Sequence, residues 1–169
     1  MKLLAIDPGT RESGYVVIDI ATFQPVEFAK SPNHELALSL GRLVNQVDYI
    51  AIEQIGHYGT GMPAGRDVFD TCRWIGRFEQ IIEDHGIAPD LVLRAKVKTH
   101  LCGTPRAKDS NITQALVDRF APGTKNHGKG TKANPGWFHG FHADIWAAYA
   151  LAVYVADTLL TTTIETGTA

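Results

Sequence analysis

Ala5-Ile6-Asp7-Pro8-Gly9-Thr10 and Ile50-Ala51-Ile52-Glu53-Gln54 each place an acid directly after an apolar run. Met1–Ile6 and Tyr49–Ile52 read as buried central strands, because short apolar runs bounded by turn residues favour strand over helix. A carboxylate at the end of a buried strand is costly unless something positive meets it. A third acid, Asp144, opens the apolar stretch Ile145–Val155. Three acids at the edges of apolar elements point to a divalent-metal site with oxygen ligands, suited to Mg²⁺ or Mn²⁺.

Outward from these stretches, the chain reads as one domain over residues 1–160 with a disordered tail over 161–169. Strands are expected at Leu3–Asp7, Gly14–Ile20 and Pro25–Ala29, with Asp19–Gln24 as the second turn. His34–Val47 carries Leu36, Leu40, Leu43, Val44 and Val47 on one helical stripe. A glycine-rich loop, Gly56-His57-Tyr58-Gly59-Thr60-Gly61, follows Glu53. The next helix is expected over Pro63–His85, with Val68, Cys72, Ile75 and Ile82 inward and Gly86 as its stop. Leu91–Leu93 is a short strand. Asp109 or Ser110 caps a helix through Phe120, and the last helix runs from about Ala143 to Leu160. Between them, 121–140 is too long for a plain connector and is functional or mobile. The order predicts an α/β mixed sheet with helices packed on it.

The 169 residues suffice for a core without staples, and 44% hydrophobic with 20% charged residues is ordinary for a globular protein. Cys72 and Cys102 lack metal-type spacing and read as reduced core residues. The opening Met1–Gly9 is too short for a signal peptide, and Ile145–Val155 too short for a membrane span, so the cytoplasm is expected. The net charge of −2 is unevenly spread: Arg94 to Lys132 holds nine basic residues and two acids, a net +7 against −9 elsewhere. A basic segment beside an acidic site is the footprint of a phosphate-binding face, although a solvated charged surface explains the charge alone equally well.

That order, with those acids, resembles the RNase H-like fold and within it the RuvC-type Holliday-junction resolvases. Ala5-Ile6-Asp7-Pro8-Gly9-Thr10 through Gly14-Tyr15 looks like the family's opening strand and turn, and Ala51-Ile52-Glu53-Gln54 like its second acidic strand. Val97-Lys98 to Gly103, followed by Ala107 to Ile112, resembles the segment ahead of a helix. Asp144 and the alanine-rich run after it match the last acid. The loop Gly130–Gly136 looks more like phage-encoded members.

The resemblance implies a five-stranded mixed sheet with helices on both faces, and a metal-dependent endonuclease resolving four-way DNA junctions as a homodimer. Phosphodiester hydrolysis needs a nucleophile, charge neutralisation and a stabilised leaving oxygen, which two ions about 4 Å apart supply together. Asp7, Glu53 and Asp144 become the expected catalytic and metal-binding residues. The plainer readings are a turn-capping Asp7, a surface Glu53 and an Asp144 that merely caps a helix. The family carries a further acid or His three residues before the last Asp; here Phe141 stands there, with His142 or His139 as substitutes. Its junction-wedging aromatic aligns with Gly56, which leaves Tyr58 or His57 for that work. Its lysine in the Ala-to-Ser segment aligns with Asp109. Lys98, Arg106 and Lys108 are expected on phosphates, and Lys125, Lys129 and Lys132 on a second arm of DNA.

Two rivals share features of this pattern. Asp7-Pro8-Gly9-Thr10 also looks like the phosphate turn of sugar kinases and actin-like ATPases. Those need a second such turn from a duplicated half, which is missing from these 169 residues. The other rivals keep the fold: a nuclease for other branched DNA or RNA-containing substrates, or a non-cleaving junction-binding module.

Overall fold

The computed structural model describes residues 1–56 and 65–166. Strands β1 (Lys2–Asp7), β2 (Glu12–Asp19) and β3 (Pro25–Pro32) form a meander. Helix α1 (Asn33–Val44) leads to β4 (Tyr49–Gln54), and α2 (Arg66–Glu83) to β5 (Asp90–Leu93). Helices α3 (Arg94–Cys102), α4 (Asp109–Phe120) and α5 (Ile145–Thr166) complete the chain. The sheet order is β3-β2-β1-β4-β5, antiparallel across β3, β2 and β1, and parallel across β1, β4 and β5. This is the mixed five-stranded sheet with helices on both faces.

The central strand explains the layering. Leu3, Leu4, Ala5 and Ile6 are all fully buried, as an unbroken apolar run must be when both faces are covered. Side chains alternate with period two. Leu3 and Ala5 join Val16, Ile18, Ala51 and Val92 in the core under α3, α4 and α5. Leu4 and Ile6 join Val17, Ile50 and Ile52 in the core under α1 and α2. By the same parity, Asp7 and Glu53 fall on the α5 face.

Several boundaries differ from the sequence reading. Helix α1 buries Leu36, Leu40, Leu43 and Val44 but stops before Val47. In α2 the inward stripe is Thr71, Ile75, Phe78 and Ile82, so Cys72 is exposed rather than core. Thr71 tolerates that position because its hydroxyl donates to the Asp67 carbonyl at 2.8 Å. Cys102 is half-buried, and both cysteines are free thiols. Helix α3 was not expected: Val97 is its single buried residue, so it shows no apolar stripe. Gly103, in the left-handed conformation (φ 73°), closes it by donating to the Thr99 carbonyl.

Helix α5 runs to Thr166 instead of giving way to a disordered tail at 161. Thr158, Thr161 and Thr162 satisfy their hydroxyls on carbonyls one turn back, at 2.8–3.0 Å. At that length α5 is long and apolar enough to cross a membrane, contrary to the expectation from Ile145–Val155, yet half of the qualifying window is buried against the sheet. The loop between α4 and α5 is tied down by Phe138 and Phe141, both buried, and by Trp137, which donates to the Tyr149 hydroxyl at 2.9 Å.

Candidate active site

A row of residues crosses the sheet on the α5 face. Asp7 on β1 pairs with Gly14 on β2, and Gly14 pairs with Lys30 on β3. On the other side, Glu53 stands one step beyond the Ile6–Ile52 pair and opposite Val92 on β5. Over this row sits Asp144. A Cβ at Gly14 would come within 2.5 Å of the Asp144 carbonyl carbon and oxygen, so only glycine lets β2 pass so close to the start of α5. Asp7, Glu53 and Asp144 thus come from three elements to one place.

The turn after Asp7 is fixed by a buried polar knot. Ser13, fully buried, donates to Asn33 Oδ1 at 2.6 Å and accepts from the Gly9 amide at 3.2 Å. Asn33 closes the loop by donating to the Gly9 carbonyl at 2.9 Å. Each polar atom in the knot has a partner, so its burial costs little.

Two basic side chains answer the acids. One Arg94 nitrogen donates to both Glu53 carboxylate oxygens at 2.9 Å, and another donates to Asp109 at 2.8 Å. Lys30 lies 3.0 Å from Asp144 and 3.4 Å from Glu12. The Asp144 carbonyl accepts the first α5 bond, from Ala148, so Asp144 occupies the N-cap position. Its carboxylate goes to Lys30 instead of capping the helix. Among the described residues, no donor hydrogen-bonds the Asp7 carboxylate.

These contacts set the electrostatics. Burial pushes the Asp7 carboxyl well above the usual carboxylate range, and the neighbouring Glu53 and Asp144 charges push it further, against the pull of Arg94. Burial also raises Glu53, with Arg94 opposing. The Arg94 hydrogen bond holds Asp109 low. The Asp144 hydrogen bond raises Lys30.

Asp7, Arg94, Asp109, Thr113, Asp144 and Trp146 line a cleft of about 320 Å³. That is roughly ten water volumes, room for a phosphate and hydrated ions. The donors are hard carboxylate oxygens that repel one another, and their chemistry fits Mg²⁺ or Mn²⁺. Among the described residues, however, no three acids, histidines or cysteines already stand close enough to share one ion. The Glu53 oxygens face Arg94, and Asp144 faces Lys30.

Other residues singled out in the sequence are placed differently. Phe141 is buried among Phe28, Phe138, Trp146 and Tyr149, so the position aligned with a family ligand belongs to the core here. His142 is exposed, its Nδ1 facing the Gly140 carbonyl at 2.9 Å, and it does not line the cleft. His139 faces the Lys129 carbonyl at 3.2 Å. Lys98 lies 3.8 Å from Asp109, beside the site. Arg106, Lys108, Lys125, Lys129 and Lys132 make no ion pair within 4 Å among the described residues. Arg119 belongs elsewhere, held by Asp157 at 2.7 and 2.8 Å. Tyr58 and His57 lie outside the described residues. Sequence reasoning missed the roles of Arg94 and Lys30. Lys30 is brought to the site by the β2–β3 register, which puts it beside Gly14 and which no local sequence pattern records.

A Thermus thermophilus RuvC in complex with a Holliday junction substrate aligns over 96% of this chain and 97% of its own, at a TM-score of 0.67 and 15% identity. The chain has the RuvC fold. A second Thermus thermophilus RuvC structure covers 96% of this chain and 98% of its own, at a TM-score of 0.63 and 16% identity. A fowlpox virus Holliday junction resolvase aligns over 94% and 99%, at a TM-score of 0.47 and 10% identity. No family model and no curated protein matches the sequence. The RuvC fold bears out the RNase H-like expectation, and nothing among these matches supports the phage-encoded branch suggested by the 130–136 loop.

Proposed function

We propose that the chain is a metal-dependent, structure-selective endonuclease that resolves four-way DNA junctions by paired phosphodiester hydrolysis. The observation that carries this is the convergence of Asp7 and Asp144 on one cleft of a RuvC fold, with Glu53 on the neighbouring strand beside Asp7 and held by the cleft-lining Arg94. In this reading Asp7, Glu53 and Asp144 hold Mg²⁺, for which Mn²⁺ substitutes, two ions to a site. When bound, such ions would supply an activated nucleophile and neutralise charge on the attacked phosphate. Asp7 is the rigid central ligand, because its strand is buried on both faces and its turn is pinned by Ser13 and Asn33. Lys98 borders the cleft and meets phosphate there, with Arg106 and Lys108 beyond it. Lys125, Lys129 and Lys132 hold a further DNA arm.

One of the Thermus thermophilus RuvC structures contains a Holliday junction substrate, and the same substrate class is proposed here. Two symmetric nicks on a junction require paired sites, hence a two-fold homodimer. The Arg94–Glu53 pair favours one alternative, a junction-binding module that does not cut, since Glu53 has no oxygen unengaged by Arg94.

A labelled synthetic four-way junction, incubated with Mg²⁺ or Mn²⁺ beside linear duplex and single-strand controls, separates these readings. Paired nicks near the branch point are expected, falling about 100-fold or more in Asp7→Asn, Glu53→Gln and Asp144→Asn while junction binding persists; even outer-shell partners of a metal are worth 10–100-fold. Tight binding without cutting supports the binding module. Neither binding nor cutting sinks the resolvase reading.

A further inference from the structure

We infer that Arg94 is a resident counter-ion of the carboxylate site, which a divalent cation must displace from Glu53 before the site loads. This rests on the metal-dependent reading above and adds an occupant to it. Arg94 is the first residue of α3, directly after β5, whose Leu93 pairs with Gln54 beside Glu53. The guanidinium therefore enters the site from the strand next to the ligand strand. It takes both Glu53 oxygens at 2.9 Å, the oxygens that a metal would need. The Glu53 side chain is only 12% exposed, so water offers it little alternative partnership.

Arginine stays protonated at any working pH, so this plug leaves only by moving. A second anchor is built in. Asp109, 75% exposed, holds the other Arg94 nitrogen at 2.8 Å, and remains a partner when Glu53 is released. Asp7, which no described donor hydrogen-bonds, is the ligand already open. The arrangement predicts weak metal binding before DNA arrives, with Arg94 as the competing cation. A phosphate entering the cleft would offer Arg94 a third partner.

The test is calorimetric titration of Mn²⁺ alone into the wild type and Arg94→Gln, without DNA, with Asp7→Asn in parallel to identify heat from the site. Thermal unfolding against Mn²⁺ concentration gives an independent readout. Arg94→Gln is expected to bind Mn²⁺ on the order of tenfold more tightly, with a larger Mn²⁺-dependent rise in midpoint. Equal or weaker binding by a variant with an unchanged circular dichroism spectrum overturns the inference. Absence of Asp7-dependent binding in both proteins sinks the metal-site reading itself. Should Arg94→Gln fail to fold, Arg94→Met keeps the length of the side chain without its charge, and the same tightening is expected of it.

Discussion

Asp7 and Glu53 stand on neighbouring parallel strands one step beyond the Ile6–Ile52 pair, so two carboxylates share one face where little water reaches them. Their proximity follows from strand register. The electrostatic cost is carried mainly by Asp7, since Arg94 attends to Glu53. The cost of holding two carboxylates in this way is directly measurable.

With divalent ions chelated, the raised Asp7 carboxyl makes the folded state bind its proton more tightly than the unfolded state. Stability must therefore fall as pH rises from the ordinary aspartate value, about 3.9, through the raised folded value. Above that window the penalty is complete; below it, none remains. Asp7→Asn removes it, so the variant should be the more stable protein near pH 7, with the difference closing toward about pH 4. Urea unfolding of both proteins across that range checks the sign. A difference independent of pH would show that Asp7 is not strained by its charge.

Gly14 and Gly76 offer a paired test of backbone approach. Gly14→Ala puts a Cβ 2.5 Å from the Asp144 backbone, an overpacking that should cost about 1–3 kcal/mol and displace the start of α5. Metal affinity should fall with it. At Gly76, inside α2, an added methyl would meet nothing within 4 Å, and Gly76→Ala should stabilise by roughly 0.5–1 kcal/mol with activity unchanged. Equal effects at the two sites in chemical denaturation would refute the close approach at Asp144.

What could be seen from the sequence depended on apolar runs. The acids at 7, 53 and 144 stood out because each borders such a run, and α1 because Leu36, Leu40 and Leu43 keep helical spacing. Helix α3 was invisible because it buries Val97 alone. The α2 stripe was misphased at Cys72 because a threonine hydroxyl bonded to its own helix sits inward at 71. Arg94 stood out only as part of the basic 94–132 segment and Lys30 not at all, since their partners lie across the sheet and depend on register. Phe141 looked like a failed ligand because an alignment position carries no information on which way its side chain packs.

The lysines of the 125–132 loop should act through phosphate alone. Lys125, Lys129 and Lys132 make no ion pair within 4 Å among the described residues, so replacing all three with alanine should leave stability nearly unchanged. Junction affinity should drop, and the slope of log K against log salt should shrink by about 0.9 for each phosphate that is no longer neutralised. Affinity measured at several salt concentrations decides it. Weaker binding at an unchanged slope would mean that the loop acts through shape and not through charge.

Phe141 and His142 separate the core from the candidate chemistry at the residues before Asp144. Phe141 is 1% exposed and packs edge-on against Phe28, with ring centroids 4.8 Å apart. Phe141→Asp, which restores an acid at the family's position, should cost about 4 kcal/mol or more through lost packing and a buried unpaired charge. That is most of a typical domain's stability, so the variant should be unfolded or nearly so. Phe141→Leu should cost only about 1–2 kcal/mol and retain cutting. His142→Ala, at an exposed position, should leave the unfolding midpoint unchanged, so any loss of cutting there reports chemistry directly. A folded Phe141→Asp protein that cuts faster than wild type would show that the 141 side chain reaches the cleft after all.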